Sequence, residues 1–170
     1  MPKQKVVPKG LLIIGFGGHA RAVADVALAS GVGKLIFLDA NARDGEAFLG
    51  FPVLRGFTDH LPFGWAVFAA SGRADYRQTS IDQWMSQAPI ATLIAPTATI
   101  GVGSEIGQGS FIGQHAHVGP MAKIGSGCII NTGAVVEHEC VIGDFAHISV
   151  NAVVAGRSRV GSNSMIGALS

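Results

Sequence analysis

The densest group of ionisable residues in the chain is Glu137-His138-Glu139, a histidine set between two carboxylates. A histidine paired with a carboxylate is a competent general base near neutral pH, because the carboxylate fixes the tautomer and stabilises the imidazolium. His115, His117 and His147 share this half of the chain. The first two read as surface residues, and His147 as either surface or functional. A second group is Gly15-Phe16-Gly17-Gly18-His19-Ala20, which fits the pattern G-x-G-x-x-G/A between an apolar run and an amphipathic segment, with Asp39 following 24 residues after Gly15. Glycines let a backbone approach a diphosphate, a helix N-terminus favours its charge, and the acid can accept hydrogen bonds from hydroxyls or a base. Three readings stay open for this loop: a dinucleotide site for redox chemistry, a sugar-nucleotide site, or a tight strand–helix turn without a ligand. The segment is only about half of a full dinucleotide domain. A metal centre is not expected, since the chain lacks the pair of histidines five residues apart that zinc-holding trimeric β-helices carry.

The residues around His138 must be positioned by a repeat. Every sixth residue from Ile94 to Ile166 is Ile or Val, and the fifth position of each unit is always small: Ala, Ser or Cys. Helices repeat at 3.6 residues and strands at 2, so a strict six is one short strand plus one corner, stacked as a hexapeptide parallel β-helix. Three units make an 18-residue triangular coil. Residues 18 apart therefore lie one above the other, which puts Pro120 beneath His138 and Gly156 above it. Cys128 and Cys140 fall in the small column. They read as reduced packing residues, neither a disulfide pair nor nucleophiles. Gly after the aliphatic residue, as at Gly101, Gly107 and Gly119, is expected to relieve Cβ strain at corners.

Residues 1 to about 90 follow another grammar. Leu11–Ile14 reads as a buried parallel strand, His19–Ser30 as a helix, Leu35–Asp39 and Trp65–Ala70 as further strands, Arg73–Gln87 as a helix, and Ile90–Ile94 as a strand leading into the repeats. Together they predict a small Rossmann-like parallel sheet, with 40–64 irregular and flap-like. The expected division is an α/β domain over 1–90 and a β-helix over 91–170, rigidly joined. With 170 residues, 14% charged and a formal net charge of +1, the chain has no basic run for nucleic acid. No apolar stretch is long enough to span a bilayer and no signal peptide is visible, so a cytoplasmic location is expected.

The segments I-I-G-F-G-G-H-A, I-F-L-D, I-N-T-G-A-V-V-E-H-E-C-V-I-G and F-A-H-I-S-V-N-A-V-V-A-G make the chain similar to the bacterial sugar-nucleotide acyltransferases, which include UDP-4-amino-sugar N-acetyltransferases and sialic acid O-acetyltransferases. The resemblance implies a left-handed β-helix and a homotrimer with acetyl-CoA as co-substrate between adjacent β-helices. It implies His138 as general base and Glu139 as the supporting acid. Asn131 would be a substrate-side polar group next to that base. His147 and Gly156 would be acetyl-CoA contacts, with the Gly156 amide near the thioester. Gly15, Gly17, Gly18 and His19 would form the diphosphate-side loop, Asp39 a nucleoside contact, and Ser71-Gly72 with Arg77 a second wall. The expected reaction is direct acetyl transfer to a nucleotide-linked amino sugar; the alternatives are O-acetylation of a sugar or sialic acid, and a weak or inactive trimeric scaffold. The last arises because the chain stops within its fifth coil, earlier than the family's usual end; separately, Asp39 is followed by Ala40 where the family often has a second acid, which leaves the nucleotide base open.

Overall fold

A computed structural model describes residues 7–57 and 60–170. The N-terminal part runs β1 (Gly10–Ile14), α1 (Gly18–Ala29), β2 (Leu35–Leu38), β3 (Ala47–Phe48), β4 (Phe51–Leu54), β5 (Trp65–Ala69) and α2 (Ala74–Trp84). The sheet order is β3-β4-β2-β1-β5, parallel except for the short β3–β4 hairpin. The runs Leu11-Leu12-Ile13 and Ala66–Ala69 are buried on both faces, as strands of a covered parallel sheet must be. Part of the segment expected to be irregular is therefore ordered: Phe51-Pro52-Val53-Leu54 adds to β2 as a further parallel strand. Pro52 disguised it, and β4 tolerates a proline because its other neighbour is only a two-residue hairpin strand. Residues 58–59 of that segment lie outside the described residues. The expected strand at Ile90–Ile94 is split into a single bridge from Ile90 to Val67 and a two-residue strand at Leu93–Ile94.

From Leu93 the chain forms thirteen two-residue strands, β6 (Leu93–Ile94) to β18 (Met165–Ile166), at six-residue intervals. They stack as three parallel sheets with an 18-residue register, for example Val118↔Val136↔Val154 and Ile112↔Ile130↔Ile148. This is a left-handed parallel β-helix of triangular section. Its faces are named here by their first strands: the Leu93 face, the Thr99 face and the Glu105 face. The aliphatic and small columns, from Ile112 to Val154, fill the interior.

Corner geometry differs from expectation. Gly101 and Gly119 do not have positive φ. They are glycine because a methyl group at Gly119 would lie 2.6 Å from the His138 nitrogen in the next coil. The left-handed conformation falls two residues later and recurs every six residues from Gly103 to Leu169, with φ between 55° and 76°. It includes His115, Met121, Glu139, Phe145, Asn151, Arg157 and Asn163. Such a conformation costs a non-glycine residue about 1 kcal/mol. It is held because the N–H at these positions donates to the coil below, as Glu139 does to the Pro120 carbonyl and Arg157 to the His138 carbonyl, both at 2.9 Å.

The two parts share one apolar core, in which Phe111 and Ile129 of the Leu93 face pack with Ala20, Val23 and Phe68. Arg77 joins them more specifically. Its side chain is 1% exposed, and its guanidinium donates to the Ser71 and Gly72 carbonyls on one side and to the Gly127 and Phe145 carbonyls on the other. Replacing Arg77 with Met leaves those four acceptors without this donor. We expect a loss of about 2–4 kcal/mol, seen as a fall of about 5–10 °C in the thermal midpoint.

Candidate active site

His138 sits on the corner between the Thr99 and Glu105 faces, between β13 (Val135–Val136) and β14 (Val141–Ile142). Its ring lies against Gly156 in the coil above, so that a methyl group at Gly156 would fall 2.7 Å from Cε1 and 2.9 Å from Cδ2. The stacking read from the repeat thus places these two residues in contact. His138 Nδ1 is 3.9 Å from Glu139 Oε1, while the other carboxylate oxygen of Glu139 accepts from Arg157 Nε at 2.6 Å. That charge-assisted bond holds the Glu139 carboxyl below its ordinary range. The Gly156 N–H donates to no other described residue.

His147 and Asn131 lie elsewhere. His147 belongs to β15 (His147–Ile148) on the Leu93 face, and Asn131 follows β12 (Ile129–Ile130) on the same face. In a triangular prism this face is opposite the His138 corner. Asn131 is accordingly not beside His138 of its own chain; its Nδ2 meets His147 Nε2 at 3.2 Å. Asn131 Oδ1 accepts from the Thr132 N–H at 2.9 Å, which leaves the amide NH₂ to donate to His147 Nε2 and puts the His147 proton on Nδ1. That Nδ1 is buried next to the Gly72 backbone. Burial, and then the Arg77 charge, lower the His147 pKa. His147, Phe145, Asn163 and Met165 form one wall of a cleft of about 450 Å³, and Gly72, Arg73 and Gln78 the other. Arg77 lies in this cleft with its donors already committed to carbonyls, so it builds the wall but offers little to a ligand.

The glycine loop is arranged as a helix N-terminus open to solvent. Gly15 has φ +104°, which only glycine adopts readily, and carries the chain out of β1. Gly17 is the N-cap of α1 with no side-chain cap, and side chains at Gly17 or Gly18 would meet nothing, so the space over the helix end is free. Asp39 pins this loop: its Oδ2 accepts from the Phe16 N–H and its Oδ1 from the Asn41 N–H, each at 2.9 Å. His19 does not project over the loop. Its ring packs edge-to-face on Phe111, centroids 5.0 Å apart, with Nε2 buried and unpartnered near His147 and Arg77. Burial, followed by those two neighbours, lowers the His19 pKa from 6.5 to about 3.

This has a consequence for stability. The folded protein rejects a proton that the unfolded chain accepts, so the contribution is complete above pH 6.5 and is lost as pH falls toward 3. Between pH 6.5 and 4 the loss from this residue is about 3 kcal/mol. We expect the urea midpoint to fall over this interval, and His19→Phe to flatten that slope.

Sequence reasoning singled out Arg77 and Asp39 but not their backbone partners, the four carbonyls that Arg77 holds and the two N–H groups that Asp39 holds, and it did not single out Arg157. Nothing in a one-dimensional pattern marks an arginine whose partners are backbone carbonyls. Arg157, by contrast, stands 18 residues after Glu139 and was legible from the same ruler that found Gly156.

Residues 10–83 match the PglD N-terminal domain, and residues 103–138 match the six-repeat bacterial transferase hexapeptide family. The chain therefore resembles the sugar-nucleotide acyltransferases in both of its parts. Among solved structures it is similar to the acetyltransferase domain of PglB from Neisseria gonorrhoeae FA1090, at 28% identity over 94% of this chain and 89% of that one, with a TM-score of 0.81. The same domain in complex with acetyl coenzyme A matches at 27% identity, over 95% of this chain and 89% of that one, with a TM-score of 0.80. A mutant of GDP-perosamine N-acetyl transferase from Caulobacter crescentus, in complex with CoA and GDP-perosamine, shares the fold at 24% identity over 94% of this chain and 86% of that one, TM-score 0.72. Among the described residues no helix is long and apolar enough to cross a membrane, and no cluster of three or more His, Cys, Asp or Glu is placed to hold a metal ion. Cys128 and Cys140 are buried, and burial pushes the Cys128 thiol up to about 11, which suits packing and not nucleophilic attack.

Proposed function

We propose that this chain transfers the acetyl group of acetyl-CoA directly to the amino group of a nucleotide-linked sugar. The carrying observation is the contact between the His138 ring and Gly156, with Glu139 facing the ring from the other side. His138 takes the proton as the amine nitrogen attacks the thioester carbonyl. The N–H of Gly156 receives the developing oxyanion, a contribution of roughly 3–4 kcal/mol for such a donor. The C–S bond then breaks and the proton on His138 leaves with the CoA sulfur. No acyl-enzyme and no metal enter this sequence. The neighbours support the choice of substrates, since one is described in complex with acetyl coenzyme A and another as an N-acetyl transferase with GDP-perosamine.

In this reading residues 1–90 hold the nucleotide sugar, with the open end of α1 at Gly17-Gly18 as the diphosphate side, and residues 91–170 carry out the transfer. The prism geometry favours an assembly. His138 occupies the corner opposite the face on which His147, Asn131 and the N-terminal sheet lie, so one copy's base must meet a neighbouring copy's sugar-binding cleft. A homotrimer satisfies this with one site at each junction. A cytoplasmic location suits both co-substrates.

The test is release of free CoA thiol from acetyl-CoA in the presence of UDP-, GDP- and dTDP-linked amino sugars, with mass spectrometry of the product. Acetylation at nitrogen of one of them is the expected result. Thiol release with none of them, or acetylation only at hydroxyls, would overturn the proposal.

A further inference from the structure

We propose that Arg157 is a positioning residue for His138, acting through Glu139. The inference rests on the function proposed above for its catalytic meaning, but its geometry stands alone. Arg157 and Glu139 occupy the same left-handed corner position one coil apart, with φ 63° and 59°. The Arg157 N–H donates to the His138 carbonyl at 2.9 Å, and its Nε donates to Glu139 Oε2 at 2.6 Å. The guanidinium thus holds one carboxylate oxygen and leaves the other, Oε1, 3.9 Å from His138 Nδ1. Residue 157 touches the backbone of the base and the side chain of its acid at once.

Among the described residues Glu139 pairs through its side chain only with Arg157 and His138. The coil below presents Pro120 and Met121, the flanking strands present Val135 and Val141, and the coil above presents Gly156. Among charged groups, Glu137 shares the His138 corner, and Arg159 and Lys123 stand above and below Val141 on the Glu105 face, with Lys123 facing Glu105. Both partners of the pair are partly exposed, 72% for the Arg157 side chain and 48% for Glu139, so the contact contributes little to folding. Its effect is local. The Arg157 charge offsets that of Glu139 and so keeps the carboxylate from over-stabilising the imidazolium. It also stops the Glu139 side chain from turning to water.

The experiment is Arg157→Gln, with Arg157→Lys and the double variant E139Q/R157Q as controls. The His138 titration is followed by the imidazole Cε1–H signals in the protein without substrates, and kcat/KM is followed against pH in the thiol-release assay. In R157Q the His138 midpoint is expected to rise by about 0.5 pH, with the acidic limb of the rate profile moving by the same amount. R157K, which keeps the charge, is expected to move less, and R157Q is expected to have no further effect once Glu139 is Gln. An unchanged midpoint and acidic limb in R157Q, or an equal shift in the E139Q background, would overturn the inference. The titration needs no turnover. If it moves as stated in a protein that acetylates none of the amino sugars, the positioning contact is upheld and the reaction assigned above is what fails.

Discussion

His138→Ala will leave the thermal midpoint and oligomeric state unchanged and lower acetyl transfer by about 10³-fold. The first half of this expectation comes from exposure: the His138 side chain is 47% exposed and stands on a corner outside the packed columns. The aliphatic and small residues on either side of the corner, Val136 and Cys140, are fully buried and carry the stacking. The second half comes from chemistry. An amine attacking a thioester must lose a proton, and no other base lies in this corner except Glu137 and Glu139, the latter already held by Arg157. Side-by-side melting curves and thiol-release rates decide it. A variant with an unchanged rate removes His138 from the mechanism, and one that melts early shows the corner to be structural instead.

Gly156→Ala will be almost as damaging to activity, by about 10²-fold, with the fold intact. Gly156 does not have the positive φ that favours glycine, so an alanine there meets no backbone strain. What it meets is the imidazole: its methyl group would come 2.7 Å from Cε1 of His138. The ring is the far end of a rotatable side chain and swings outward, away from the Gly156 N–H. The proposed base and the proposed oxyanion donor are then displaced relative to one another by a single carbon. Turnover and a heat-capacity scan on the same preparation check both parts. Full activity in this variant would mean that the stacking has no role in transfer.

The His138–Gly156 contact was legible in the sequence because a six-residue period is also a ruler: any two residues 18 apart are neighbours. The conformation of the corners was not. The left-handed position carries His115, Met121, Glu139, Phe145, Asn151, Arg157, Asn163 and Leu169, none of which advertises positive φ. Hydrogen bonds between coils impose it, and those exist only once the solenoid is stacked. The glycines that do recur, such as Gly119, answer to crowding from the coil above. The separation of Asn131 from His138 within one chain was hidden for a related reason. Seven residues separate it from His138 in sequence, yet the chain turns a corner and crosses the Thr99 face between them. His19 was placed at the loop mouth by motif spacing, but the aromatic face of Phe111 and the shared core turn it inward. In β4, Pro52 hid a strand that the register with β2 shows directly.

The left-handed corner also governs how this molecule can change over evolutionary time. A loop on an ordinary domain accepts insertions of any length. Here an insertion wound into the coil that is not a multiple of six residues would throw every later side chain off its column, and one of six or twelve would rotate the remainder of the solenoid onto another face. Only steps of 18 keep the His138 corner aligned with the corners below it, and each such step lifts it by one strand spacing, about 4.8 Å. The height of His138 above the N-terminal sheet is therefore quantised.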